Sequence, residues 1–120
     1  MLTPGDVILA FCPFISPPKN KYCLCICPVD RFFLFVNTNQ YIPLAHGQVT
    51  IWKEELACLS YTSHVDVVSV FELPESTIKI AVSKGHVWPM QQSAKDRIKE
   101  NAQSSRLLSP IYVRLLEKNF

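Results

Sequence analysis

A chain of 120 residues with 48% hydrophobic and only 18% charged residues is the size of one domain with a densely buried interior, which excludes disorder. Nine prolines against three glycines argue against a long helical bundle and for short strands joined by rigid turns. The net charge of +2 is small but uneven: from Ser93 onward six bases face three acids, whereas before Ser93 six bases face seven acids.

In chain order, Asp6 to Cys12 is a continuous apolar run after a Pro-Gly turn, the pattern of a buried strand. A Pro-rich loop follows over Pro13 to Asn20, and Lys21 to Cys27 predicts a second strand, apolar on both faces. Pro28-Val29-Asp30 turns the chain, and Arg31 to Val36, aromatic and β-branched, predicts a third strand. So tight a connection makes strands two and three an antiparallel hairpin.

Asn37-Thr38-Asn39-Gln40 then leaves the sheet as a polar cluster, and Tyr41 to Gly47 reads as irregular. Val49 to Trp52 suits a short strand, while Lys53 to Ser60 is divided between helical and extended signals. Val65 to Phe71 is expected as one strand ended by Pro74, and Thr77 to Val82 as another by its alternation. Ser93 is a candidate helix N-cap, with a helix to about Gln103, and Ser109-Pro110 repeats the start signal. Tyr112, Leu115, Leu116 and Phe120 then share one helical face. The expected architecture is mainly β (α+β): one domain, with a small β-barrel over about 1–88 and a helical tail over about 93–120.

The chain opens without a basic, apolar leader, and no apolar run has transmembrane length. Its five cysteines are an odd number, so free thiols in a reducing cytoplasm are the expectation. Cys23, Cys25 and Cys27 share a strand face, but same-face neighbours stand about 6.5–7 Å apart, too far for three thiols to hold one ion. Core packing is therefore expected of them, and no metal or cofactor. Ser63-His64-Val65-Asp66 has triad letters without triad geometry, because Ser63 points away from His64 and Asp66 on a strand. A structural His64–Asp66 hydrogen bond is expected instead. His46 and His86 stand beside glycines in turns and are expected to be exposed.

The polar exit is the strongest candidate site. In an antiparallel hairpin the start of strand two lies beside the end of strand three, so Lys19 and Lys21 are expected to gather with Thr38 and Asn39 at one barrel rim. Ammonium groups suit phosphates, and the amides of Asn37, Asn39 and Gln40 suit base edges. The same polar residues also suit a plain turn.

Several short motifs carry a family resemblance. Pro4-Gly5-Asp6-Val7-Ile8-Leu9, then Phe11-Cys12-Pro13-Phe14, then a lysine-ended loop before an apolar strand, resembles the MazF/PemK toxins (CcdB-like) of toxin–antitoxin systems. Val36-Asn37-Thr38-Asn39-Gln40 is similar to their polar third-strand exit. Phe71-Glu72-Leu73-Pro74, Lys84-Gly85 and Leu107-Leu108-Ser109-Pro110 are similar to a PemK-like branch. The resemblance implies an SH3-like barrel, often a homodimer, an antitoxin or other protein partner, and metal-independent RNA cleavage. It places Thr38 at the scissile phosphate. The family's arginine has no counterpart: its place falls near Lys21-Tyr22-Cys23, leaving Lys21 or Arg31 as the catalytic cation and Lys19 as an RNA contact. Lysine lacks the planar fork with which arginine holds a phosphate. The alternative is a non-catalytic SH3-like barrel that binds a protein or nucleic acid.

Overall fold

In the computed structural model, which describes residues 1–38 and 47–120, the apolar run Asp6–Cys12 forms strand β1 with the expected bounds. Strand β2, Lys19–Cys27, starts two residues earlier than the sequence predicts. The cause is pairing: Cys12 faces Lys19 and Phe11 faces Asn20, so β1 extends β2 into the expected loop. Strand β3, Phe32–Asn37, pairs antiparallel with β2, as the hairpin reading requires. Strand β4, Gln48–Ile51, pairs with β5, Ser63–Asp66. Between them Lys53–Glu55 makes one turn of 3₁₀ helix.

Two expectations need correction. Val65 to Phe71 is not one strand. The carboxylate of Asp66 accepts the Val68 backbone N–H at 3.1 Å, which bends the chain out of the ladder. It returns as β6, Phe71–Glu72. Both pieces pair with β3: Val65 with Val36 and Phe71 with Phe33, so five residues, Asp66 to Val70, stand opposite Leu34 and Phe35. Thr77 to Val82 is not a strand either but the heart of helix α1, Glu75–Ser83. Ile78, Ile80 and Val82 alternate as on a strand, but Ile78 and Ala81, three apart, share one face only in a helix. As a helix they pack on Ile8, Ala10 and Phe33 while the helix meets its own backbone hydrogen bonds.

Strand β7, Val87–Pro89, absent from the sequence reading, pairs with β1. The sheet order is β4-β5-β3-β2-β1-β7, with β6 also on β3, and every pairing is antiparallel. The sheet curls into a half-barrel, and with three α-helices among the described residues the fold is the expected small α+β barrel.

Helix α2, Gln92–Ser105, begins after Gln91, so Ser93 lies inside it and caps nothing; its hydroxyl donates to Glu55 instead, at 2.6 Å. Helix α3, Pro110–Asn119, starts from Ser109 with proline in its first turn, as expected. One sheet face packs on both helices: Leu24, Ile26, Leu34 and Val36 share a buried core with Ala94, Ile98, Ala102 and Leu116. Of the expected α3 face, Tyr112, Leu116 and Phe120 reach this core, and Asn119 ties the helix end to the Ile26 carbonyl at 2.8 Å. The tail is thus continuous with the sheet's own packing.

Gly47 opens β4 with φ +86, a region that costs other residues strain, and a Cβ there would run into Val68 and approach Leu107 to 3.1 Å. Gly47→Ala is expected to cost about 1–3 kcal/mol, read as a lower urea midpoint at unchanged slope.

Candidate nucleic-acid interface

The second sheet face is only partly covered. Under α1, Ile8, Ala10, Cys23, Cys25 and Phe33 form a small buried core. Beyond α1, toward the start of β2 and the end of β3, the same face turns aromatic and basic. Phe35 of β3 stacks on Phe71 of β6 at 4.1 Å between ring centroids and 25° between planes. Phe14, on the Pro-rich loop, lies 6.1 Å from Phe35 and 5.6 Å from Phe71. Phe35 and Phe71 are half-buried, while Phe14 is 54% exposed.

Lys21 completes the platform. Its ammonium sits 4.9 Å from the Phe35 centroid, a cation–π distance, and donates to Asn37 Oδ1 at 2.6 Å. An ammonium needs an acceptor, so the amide oxygen of Asn37 is fixed toward Lys21 and its NH₂ is turned away. Burial lowers the pKa of Lys21, and the nearby charge of Lys19 adds to that. Lys19 itself is exposed, one same-face step earlier on β2.

The expected rim is therefore divided. Lys19, Lys21 and Asn37 lie together. Thr38 does not join them, because strand alternation sends it to the other side. There it lines a cavity of about 130 Å³ with Tyr22, Tyr61, Cys58 and Ser63. Asn39, Gln40 and His46 lie outside the described residues.

Arg31 does not reach the rim. It sits in the β2–β3 turn with φ +58, donates to the Leu73 carbonyl at 3.0 Å and pairs with Glu72 at 3.0 Å. The length of β3, about 20 Å, separates it from Lys21 and Thr38. Its role is to hold β6 against the start of β3.

The cysteines are packed, not gathered. Cys12, Cys23, Cys25 and Cys27 are buried and free, and Cys58 is half-buried. Burial pushes the Cys25 thiol up to about 12 and that of Cys58 up to about 11, so both stay protonated and unreactive. Among the described residues no His, Cys, Asp or Glu side chains converge into a group able to hold a metal. The expected His64–Asp66 bond is also missing from the described residues, since Asp66 turns to the Val68 N–H. None of the described helices is long and apolar enough to cross a membrane.

Phe14 and Phe71 stand in the motifs that carry the resemblance, but the sequence assigns neither a place in the site. The one local signal for Phe14 was a large apolar residue inside a Pro-rich loop, where nothing nearby in sequence could bury it. No protein-family model matches this chain, and no curated protein matches it either.

Proposed function

We propose that this protein is a binding barrel for single-stranded RNA, taken on the Phe14–Phe35–Phe71 platform. The observation that carries this reading is the stack of three rings with the Lys21 ammonium over it. Unpaired bases stack on aromatic rings, lysines neutralise the phosphates between them, and an amide such as Asn37 reads a base edge. A duplex keeps its bases stacked inside and gains little from such a face. The test is fluorescence anisotropy with a labelled single-stranded RNA of about ten nucleotides and with its duplex. Preferential single-strand binding that weakens steeply with added salt is the expected result. Equal affinity for the duplex, or salt-independent binding, would sink the proposal.

A second reading, the toxin-type endoribonuclease implied by the MazF/PemK resemblance, draws support from Lys21 itself. Burial beside Lys19 brings its amine nearer to a base that could take a 2′-hydroxyl proton. The resemblance puts Thr38 at the scissile phosphate, but Thr38 lies across the sheet from Lys21, so this reading rests on Lys21 with Lys19 and Asn37 beside it, and the amides of Asn39 and Gln40 lie outside the described residues. Arg31 is held at the far end of β3, and Lys21 takes its place as the cation once it has received the 2′-hydroxyl proton. Purified protein incubated with total RNA in EDTA is expected to cut it at discrete sites, with about a hundredfold loss in Lys21→Ala. RNA left intact by the wild-type protein rules this reading out and leaves the binding barrel. An antitoxin-like partner and a second copy of the chain belong to the same resemblance, and a cytoplasmic setting to the odd number of free cysteines. Size-exclusion chromatography with a candidate partner tests the association.

A further inference from the structure

A separate cavity of about 250 Å³ opens where the end of β1 and the start of β2 meet the C-terminal half of α1. Its apolar walls include Phe11, 52% exposed, and Ile80, 56% exposed, two large side chains that the fold leaves uncovered. Four polar side chains from different elements line the same space: Asn20 of β2, Thr77 of α1, Lys84 just after α1, and His86 before β7. None of the described lining residues carries a carboxylate. Lys84 makes no ion pair among the described residues.

Two of the polar residues are anchored through their backbones. The backbone N–H of Lys84 bonds the Ile80 carbonyl at 3.1 Å and closes the helix. His86 is tied on both sides of its backbone, donating to the Ala81 carbonyl at 3.0 Å and accepting from the Leu9 N–H at 3.3 Å. Its ring lies flat against Trp88, 6.0 Å between centroids and 11° between planes. Each of the four can donate a hydrogen bond, and only Lys84 carries a permanent charge.

We propose that this cavity binds a nucleoside monophosphate, with the phosphate at Lys84, His86 and Thr77 and the base against Phe11 within reach of the Asn20 amide. An uncovered ring and a cation lining one cavity, with no acid among the described lining residues, suit a ligand that is flat and apolar at one end and anionic at the other. A cavity of about 250 Å³ is on the scale of a single nucleotide. The unit can come as a free mononucleotide or as the phosphate-bearing end of an RNA strand, and the inference does not depend on the Phe35 platform.

The fluorescence of Trp88, stacked on His86, reports occupancy, and Trp52→Phe removes the other tryptophan. Titration with UMP is expected to give a saturable change, with uridine alone and inorganic phosphate alone each bound about tenfold or more weakly. Lys84→Ala removes an exposed side chain from a folded helix end, so the fold should persist while UMP affinity falls about tenfold. His86→Gln, which keeps a donor, should fall less. A hexauridylate with a 5′-phosphate bound more tightly than the same strand without it, with the difference lost in Lys84→Ala, identifies the strand end as the source. UMP binding without that difference identifies the free nucleotide. No saturable response to either, uridine bound as well as UMP, phosphate alone bound as well as UMP, or unchanged affinity in Lys84→Ala each overturns the inference.

Discussion

Acidification is expected to remove about 3 kcal/mol of folding stability through Glu55 alone, an effect that Glu55→Gln abolishes. Glu55 ends the 3₁₀ turn after β4 and is 6% exposed. Burial by itself would raise its pKa and oppose its charge. Its partners reverse that. The Arg97 guanidinium grips both carboxylate oxygens, at 2.9 Å to Oε2 and with a shorter bond to Oε1. The Ser93 hydroxyl donates to Oε2 at 2.6 Å and the Trp52 backbone N–H to Oε1 at 3.0 Å. Arg97 above all, aided by Ser93 and Trp52, holds the carboxyl at about 2, against an ordinary value of 4.5.

A carboxyl whose folded pKa is depressed binds its proton more readily in the unfolded chain. Its stabilisation is complete above about pH 4.5 and is lost as the pH falls through about 2. The measurement is urea denaturation at a series of pH values in wild type and Glu55→Gln, where the difference between the two curves should shrink across that window. Arg97→Ala is the harsher change. It leaves a buried carboxylate without its cation and also frees the Thr50 carbonyl, which Arg97 caps at 3.0 Å. A loss of about 2–4 kcal/mol at neutral pH is expected, discounted because the Arg97 side chain is 37% exposed. This cluster links β4 to α2, so its loss should loosen the tail before the central strands.

Those central strands were legible in the sequence because they are buried on both faces. Asp6–Cys12 and the β2–β3 hairpin announce themselves as unbroken apolar runs between turns, and nothing distant is needed to place them. Thr77 to Val82 was misread because Ile78 fits both periods. Only the tertiary partner, the sheet face at Ile8 and Phe33, decides between them. Val65 to Phe71 was misread because the Asp66 carboxylate acts on its own backbone, a contact that apolar alternation does not register.

The site was legible to the same extent. Hairpin register alone brings Lys21 beside Asn37. Alternation along β3 already implies that Thr38, one residue on, faces the other way, but nothing local shows that Arg31 is held by Glu72, 41 residues later in the chain. Phe14 and Phe71 join Phe35 only through the loop's fold and the return of β6.

Phe35 is where the RNA-binding reading stands or falls. It is the ring shared by the Phe71 stack, the Phe14 contact and the Lys21 cation–π pair. Removing one base-stacking ring costs about 1–3 kcal/mol, so Phe35→Ala is expected to weaken single-stranded RNA binding about ten- to a hundredfold. Phe35 also packs on the small core beneath α1, so the alanine variant loses stability as well. Phe35→Leu separates the two effects: it keeps most of the buried apolar volume and removes the π face. If stacking carries the affinity, leucine should fold like wild type and bind RNA nearly as poorly as alanine. Lys21→Ala should act differently, reducing the salt dependence by about one counterion while leaving the ring contribution in place. A leucine variant that binds RNA as well as the wild type would mean that the three rings only fill the gap between β3, β6 and the loop. The lysines would then be an ordinary solvated rim.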